Sequence, residues 1–397
     1  CAGPERESPR RMSAPGPVRP RAWPLWGLFC ACSWTWCIGM YLPRILLDRY
    51  GWAGVLVFLV PNVLGCAGLG YVLRTPARAR AIIDRHRPWA LAFSFVTIAY
   101  HAYFVVYLTV RLLPADAGPR LAGLAGPGTA ALAVLGLALL GGLLARLGDR
   151  AWLTLGALTW VSSLAVLGVL LGAPGNLDAV PVVRSGLELA TLAPVTALGF
   201  LLCPYLDLTF LRAHRAAAGT HAFAVFGAAF AVMLVLSCVL WRAEVPLGAW
   251  ALAHLGLQAT FTVGAHLREL RTRGPETAPA RTALLTGPFL IGLAFAAAAA
   301  AGAGAGVAIV GEGTYLRFLA AYGLLFPAAV LLLVARPLAL PATRGASFAV
   351  LALCLLLAPL FELGFIGRVP GITLPAAAAA LLFVILRTRG RRSAATA

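Results

Sequence analysis

Apolar runs of about 20 residues recur from one end of this chain to the other, and each can cross about 30 Å of hydrocarbon. A backbone in lipid must satisfy its own polar groups, so only helices or closed barrels span a membrane, and runs of this length specify helices. Composition agrees. Of 397 residues 61% are hydrophobic and 12% charged, about half the charge of a soluble domain, and mean hydropathy is +0.87. The sequence therefore predicts an all-α integral membrane protein with about twelve spans. They fall at 23–48, 52–73, 88–113, 128–147, 151–172, 186–211, 221–241, 247–267, 283–309, 314–335, 345–366 and 370–387.

The net charge of +18 raises the question of nucleic acid, and the placement of the charges answers it. All 32 basic residues are arginine, and they gather in alternate loops rather than in one basic domain. No nucleic-acid-binding motif accompanies them. One side receives 24: those of the tail 1–22, the 74–87 and 268–281 loops, Arg146, Arg150, Arg212, Arg215, Arg336, Arg344 and the C-terminal tail. The other receives eight: Arg44, Arg49, Arg111, Arg120, Arg184, Arg242, Arg317 and Arg368. Arginine concentrates on the cytoplasmic side of membrane proteins. Both termini are therefore expected in the cytoplasm, with an even number of spans, in the plasma (bacterial inner) membrane. The tail 1–22 holds five Arg and five Pro and no apolar run, which reads as a disordered basic segment. The eight cysteines form no C-x-x-C pair and no zinc spacing, so they read as small packing residues.

Two spans are irregular. CIGMYLP (37–43) interrupts the first, with PRILLD following, and GFLLCPYLD (199–207) interrupts the sixth. Proline removes a backbone donor and opposes helical geometry in the residue before it, and glycine loosens the backbone. Tyr41-Leu42 and Tyr205-Leu206 lie 164 apart, and the same offset carries spans 3, 4 and 5 onto regions overlapping spans 8, 9 and 10. Five spans is an odd number, so the second unit enters the membrane inverted. The expected organisation is a first five-helix repeat over 23–172, a second, inverted repeat over 186–336, two additional helices over 345–387 and a basic tail over 388–397. Unwound backbone at membrane depth is tolerated where it lines a buried cavity, and paired discontinuous helices in inverted repeats mark solute sites of secondary transporters.

GMYLPR (39–44), GWAGVLVF (51–58) and PNVLG (61–65) look like the first two helices of LeuT-type transporters. The arrangement over residues 23–336 resembles the five-plus-five fold of the amino acid–polyamine–organocation superfamily, which includes sodium:solute symporters. That resemblance implies alternating access to a central site between helices 1, 3, 6 and 8. The expected solute contacts are Trp36, Gly39, Tyr41, Thr97, Tyr100, His101, Cys203, Tyr205, Asp207, His254 and Gln258. Thr97 and His101 share a polar face of span 3 with Ser94, and His254, Gln258 and Thr262 share a face of span 8. The resemblance implies a cation site from Trp36, Cys37, Thr260 and Thr262, although Thr260 and Thr262 diverge by about 200° around a helix. Sodium coupling, proton coupling and uncoupled movement all fit. Asp207 reads as a helix N-cap, a cation partner, or a gate or proton site. Arg44 is similar in position to an outer-gate arginine, or pairs with Asp48 one turn on.

The sequence thus predicts a secondary transporter of a small organic solute rather than an enzyme, with no catalytic residues, no metal, and only Na+ or H+ as coupling ion. Two other classes compete with this reading. A membrane enzyme or haem protein would use His101 and His254 as ligands. A transporter-like sensor would borrow its signalling domain from a partner.

Overall fold

The computed structural model describes residues 22–116, 121, 123–172, 186–217, 220–242, 248–302, 309–335, 343–369 and 372. The tail up to residue 21, the twelfth span apart from residue 372, and the C-terminal tail lie outside the described residues. Eight helices among the described residues are long and apolar enough to cross a membrane, and a bent pair makes a ninth. The chain is an all-α integral membrane protein. Its outward-facing side chains include Leu132, Leu139, Leu158, Phe348 and Leu355, more than half exposed, as suits helices bathed in hydrocarbon rather than water.

The helices are α1 (Trp23–Trp34), α2 (Cys37–Leu73), α3 (Pro76–Leu112), α4 (Pro127–Leu144), α5 (Asp149–Leu171), α6 (Gly186–Leu202) and α7 (Leu208–Ala216). They continue as α8 (Ala222–Arg242), α9 (Ala249–Arg273), α10 (Ala278–Ala300), α11 (Glu312–Val334) and α12 (Arg344–Ile366). The second expected span is the far half of α2. Gly51, at φ 61° and ψ −158°, turns the chain between the two halves with a backbone that a β-carbon would strain.

Several expected boundaries move: the eighth span runs on to Arg273 and the ninth begins at Ala278. The 74–87 segment is not a loop: Thr75 caps α3 by accepting from the Arg78 amide at 3.4 Å. The helix then runs through Arg78, Arg80 and Arg85, with a local distortion at His86 ahead of Pro88. The ninth span stops at Ala300, because Gly302 leaves the helix at φ 111°.

The larger correction concerns the first break. Residues 37–43 are continuous helix, and the interruption falls just before them, at Thr35 and Trp36. Pro43 removes a single intrahelical bond and α2 carries on through it. The break also carries short-range hydrogen bonds of its own. The Thr35 hydroxyl returns to the Ala31 carbonyl at 2.8 Å, and the Trp36 indole donates to the Ser33 carbonyl at 2.8 Å. The second break lies where the sequence put it. α6 ends in a single 3₁₀ turn over Cys203–Tyr205, and Asp207 starts α7 after a 52° bend. The two Tyr-Leu pairs are consequently not equivalent: Tyr205 is in its break, whereas Tyr41 is in helix beyond the other one.

α8 packs on α1 and α2 while α6 packs on α2; α3 packs on α10 while α9 packs on α4. α1 meets α5 and α9, whereas α6 meets α11 and α7 meets α3. The core is dominated by aromatic rings where α1, α3, α9 and α11 converge.

Candidate functional site at the two helix breaks

A helix that stops in mid-membrane leaves amides and carbonyls without intrahelical partners, and each must be satisfied locally. At the first break the partners come from α3 and α11. His101 Nε2 accepts from the Cys37 amide at 3.1 Å, and its Nδ1 lies 2.7 Å from the Thr97 carbonyl. A carbonyl only accepts, so Nδ1 carries the proton and the tautomer is fixed. The Tyr315 hydroxyl donates to the Cys37 carbonyl at 3.0 Å, and the Tyr100 hydroxyl donates to the Tyr315 carbonyl at 2.8 Å. On the α1 side, Thr262 of α9 donates to the Cys32 carbonyl at 3.2 Å, and Trp34 donates to Asn62 at 2.7 Å.

The second break is held by Asp207. Its Oδ1 accepts from the Thr209 amide and hydroxyl, both at 2.7 Å, and from the Phe210 amide at 3.4 Å. This is N-capping by a carboxylate at the positive end of α7. Thr209 also lies 3.2 Å from Ser33, so the two interrupted helices touch through hydroxyls. Cys203 donates to the Tyr322 carbonyl at 3.3 Å, and Tyr322 meets Thr97 at 2.9 Å.

In the first break itself sits Trp36, 1% exposed. Its ring packs on Trp34 (4.2 Å between centroids), Tyr322 (4.9 Å), Phe93 (5.3 Å) and His266 (6.0 Å). Beyond it, Tyr41, Phe104, Tyr107, Trp241 and Tyr315 form a second aromatic cluster, with Tyr41 and Tyr107 hydroxyls 3.1 Å apart. The Arg44 guanidinium lies 4.9 Å over Trp241, with Asp48 at 3.7 Å.

Of the residues expected from sequence, Trp36, Thr97, Tyr100, His101, Cys203 and Asp207 converge on the breaks. The others disperse. Gly39 faces Leu234 and Phe230 of α8. Tyr205 is half-buried, and Tyr41 belongs to the cluster beyond Trp36. Gln258 donates to Ser163 of α5 at 3.0 Å. The expected cation set splits: Thr262 reaches the Cys32 carbonyl, Cys37 is held by His101 and Tyr315, and Thr260 is only half-buried. His254 lies twelve residues before His266, about 18 Å along α9. The histidine beside His101 is His266, and both His101 nitrogens are already engaged. A cleft of about 370 Å³ opens elsewhere, between α4, α9 and α10, where Arg146, Arg271 and Phe289 line it. It includes no residue of the breaks.

His266, Ser94, Tyr315 and Tyr322 complete the site and escaped the sequence reading as site residues. The signal for His266 was available. His254, Gln258, Thr262 and His266 recur every four residues, and the last was lost by ending the span at 267. A further group lies at the arginine-rich end. Arg212, treated above as a loop charge, is 5% exposed, with its guanidinium between Trp26 and Phe29 of α1. It binds Asp149 at 2.7 Å and approaches Glu269 at 3.5 Å, while Arg268 binds Asp149 at 2.6 Å and Arg273 binds Glu269 at 2.9 Å.

The role of His101 gives a direct expectation. His101→Leu leaves the Cys37 amide buried without an acceptor, at a cost of about 1–3 kcal/mol. Its melting temperature in detergent should fall clearly. His101→Gln, which can present a carbonyl oxygen, should fall less. Equal melting of the wild type and the leucine variant would mean that the amide finds another acceptor.

Among known proteins, no family model matches the chain, and no curated protein matches it.

Proposed function

We propose that this chain is a secondary transporter with a LeuT-type core, moving a small organic solute by alternating access. In this reading α1 to α5 form one repeat, α6 to α11 its inverted counterpart, and α12 begins the appended helices. The observation that carries it is the pair of mid-span breaks in contact through Ser33 and Thr209, the first with its Cys37 amide held by His101 of α3 and the second capped by its own Asp207. Broken helices are expensive in lipid and persist where they line a path or a site. The helix contacts support the repeat: exchanging each helix of one unit for its counterpart maps the α3–α10 contact onto α9–α4, α1–α5 onto α6–α11 and α1–α8 onto α6–α2.

The arginine asymmetry supports a plasma membrane orientation with both termini cytoplasmic. The Arg212 cluster then closes the cytoplasmic end, where it ties α1, α5, α7 and α9 together. Arg44 with its aromatic partners lies on the outer side. Trp36 and the rings around it, with few charges, suit a small solute that is partly apolar or zwitterionic. Binding to one of two interconverting states would shift their populations.

The test is thermal unfolding of the purified protein against amino acids, nucleobases, sugars and amines, each in sodium and in potassium, with a visible absorption spectrum alongside. A ligand that binds only the folded protein raises its stability, so stabilisation by one class of solute is the expected result. No shift with any solute, together with a Soret band, would overturn the transporter reading in favour of a haem protein.

A further inference from the structure

Asp207 and His266 meet inside the protein with one polar atom each unspent. Asp207 is 0% exposed. Its Oδ1 satisfies the first turn of α7, and its Oδ2 has no hydrogen-bond partner among the described residues. His266 Nε2 lies 3.9 Å from that oxygen and is likewise without a partner. The other imidazole nitrogen, Nδ1, is 3.1 Å from the Ser94 hydroxyl. Trp36 covers the ring.

A buried acceptor facing a buried nitrogen across such a gap is costly unless something fills it. A bond of about 2.7–2.9 Å needs the two groups to close by roughly 1 Å with a proton between them. The groups in electrostatic reach are otherwise engaged. Glu269 of α9 belongs to Arg212 and Arg273, both nitrogens of His101 on α3 are used, and Tyr322 of α11 is bonded to Thr97. Cys30 of α1, Cys66 of α2 and Cys203 at the second break are buried thiols, which behave as small apolar groups. Asp207 also sits on the hinge itself, as the cap of a half-helix bent 52° from its predecessor.

We infer that Asp207 and His266 form a proton-binding pair at the hinge of the second broken helix. A proton taken from water on the open side binds between Oδ2 and Nε2. It makes one O–H or N–H bond, and returns to water on the opposite side when α7 moves. Binding changes the net charge of the pair from −1 to zero, and a neutral pair is far cheaper to keep in a dry interior than a lone carboxylate. The coupling of this proton to solute movement rests on the transporter reading above; the proton binding itself does not.

The experiment uses the full chain in detergent, without solute, and measures proton uptake with an indicator dye as pH falls from about 8.5 to about 5.5, the range that brackets ordinary histidine titration. Asp207→Asn keeps the N-cap, because asparagine caps as well as aspartate, and His266→Gln gives a second, independent variant. The wild type should take up about one proton per chain more than either variant, and the double variant should match the single ones. Equal uptake by all four proteins would overturn the pair, and would leave the solute screen free to succeed. Sodium-dependent stabilisation at fixed pH that vanishes in Asp207→Asn would also overturn it, by placing a metal cation in the gap. Proton uptake with no response to any solute would keep the pair and remove the transporter.

Discussion

Arg212→Ala should lower stability by about 3–5 kcal/mol, the penalty of removing one partner from a buried charge group and leaving the other uncompensated. Glu269, 2% exposed, loses its approach to a guanidinium that lies across Trp26 and Phe29. Arg273, about one-fifth exposed, compensates it only partly. The loss reaches further than one ion pair, because Arg212 sits on α7, Asp149 starts α5, Glu269 is on α9 and the two rings are on α1. Thermal unfolding would measure the first effect. Maleimide labelling of Cys30 and Cys32, both buried on α1, would measure the second: the variant should react faster if the cluster holds this end shut. Arg212→Leu combined with Glu269→Gln should recover much of the stability, since a neutral pair carries no stranded charge, but not the slow labelling. Unchanged labelling in Arg212→Ala would show the cluster to be a stabilising contact with no part in closing this end.

The contrast between Arg212 and Arg146 shows what the sequence could and could not yield. Both count in the sequence as basic residues just past the ends of spans, yet Arg212 falls in the middle of α7. Only contacts distant in sequence make one a buried tie and leave the other exposed beside a cleft. Helices α4, α5 and α8 were legible to within a few residues, because a long apolar run leaves the backbone one way to satisfy itself in lipid. The second break was legible because Pro204 and Asp207 act locally, as breaker and cap. The first break was misplaced because Pro43 looks like a stronger local breaker than Thr35 and Trp36. What decides the matter is His101 and Tyr315, 64 and 278 residues from Cys37. Tyr315 and Tyr322 stayed hidden for the same reason: on their own helix they are two aromatic residues among apolar ones. His266 could have been found by following the four-residue rhythm of α9 past the end of the hydrophobic run.

Trp36→Ala should cost a further stability loss of about 3–5 kcal/mol by the usual scale for emptying a large aromatic position. The consequences here are more specific than a loss of packing. The indole packs against Trp34 and His266, and its N–H holds the Ser33 carbonyl just ahead of the first break. Its removal leaves a hole walled by Phe93, Tyr322 and Trp34, with the Asp207–His266 gap on one side. An apolar hole of this kind accepts a small aromatic molecule. Free indole should therefore raise the melting temperature of Trp36→Ala and leave that of the wild type unchanged, a comparison that requires no knowledge of the natural solute. Trp36→Phe, which keeps most of the volume but not the N–H, should fall between the two in stability and respond weakly to indole. Rescue would mean that small molecules can reach the space at the first break, which alternating access in the proposed transporter requires. A destabilised variant that indole cannot rescue would mean that Trp36 is sealed core, and the solute path of the proposed transporter would then have to run elsewhere, with the cluster around Tyr41 and Tyr107 as the next place to test.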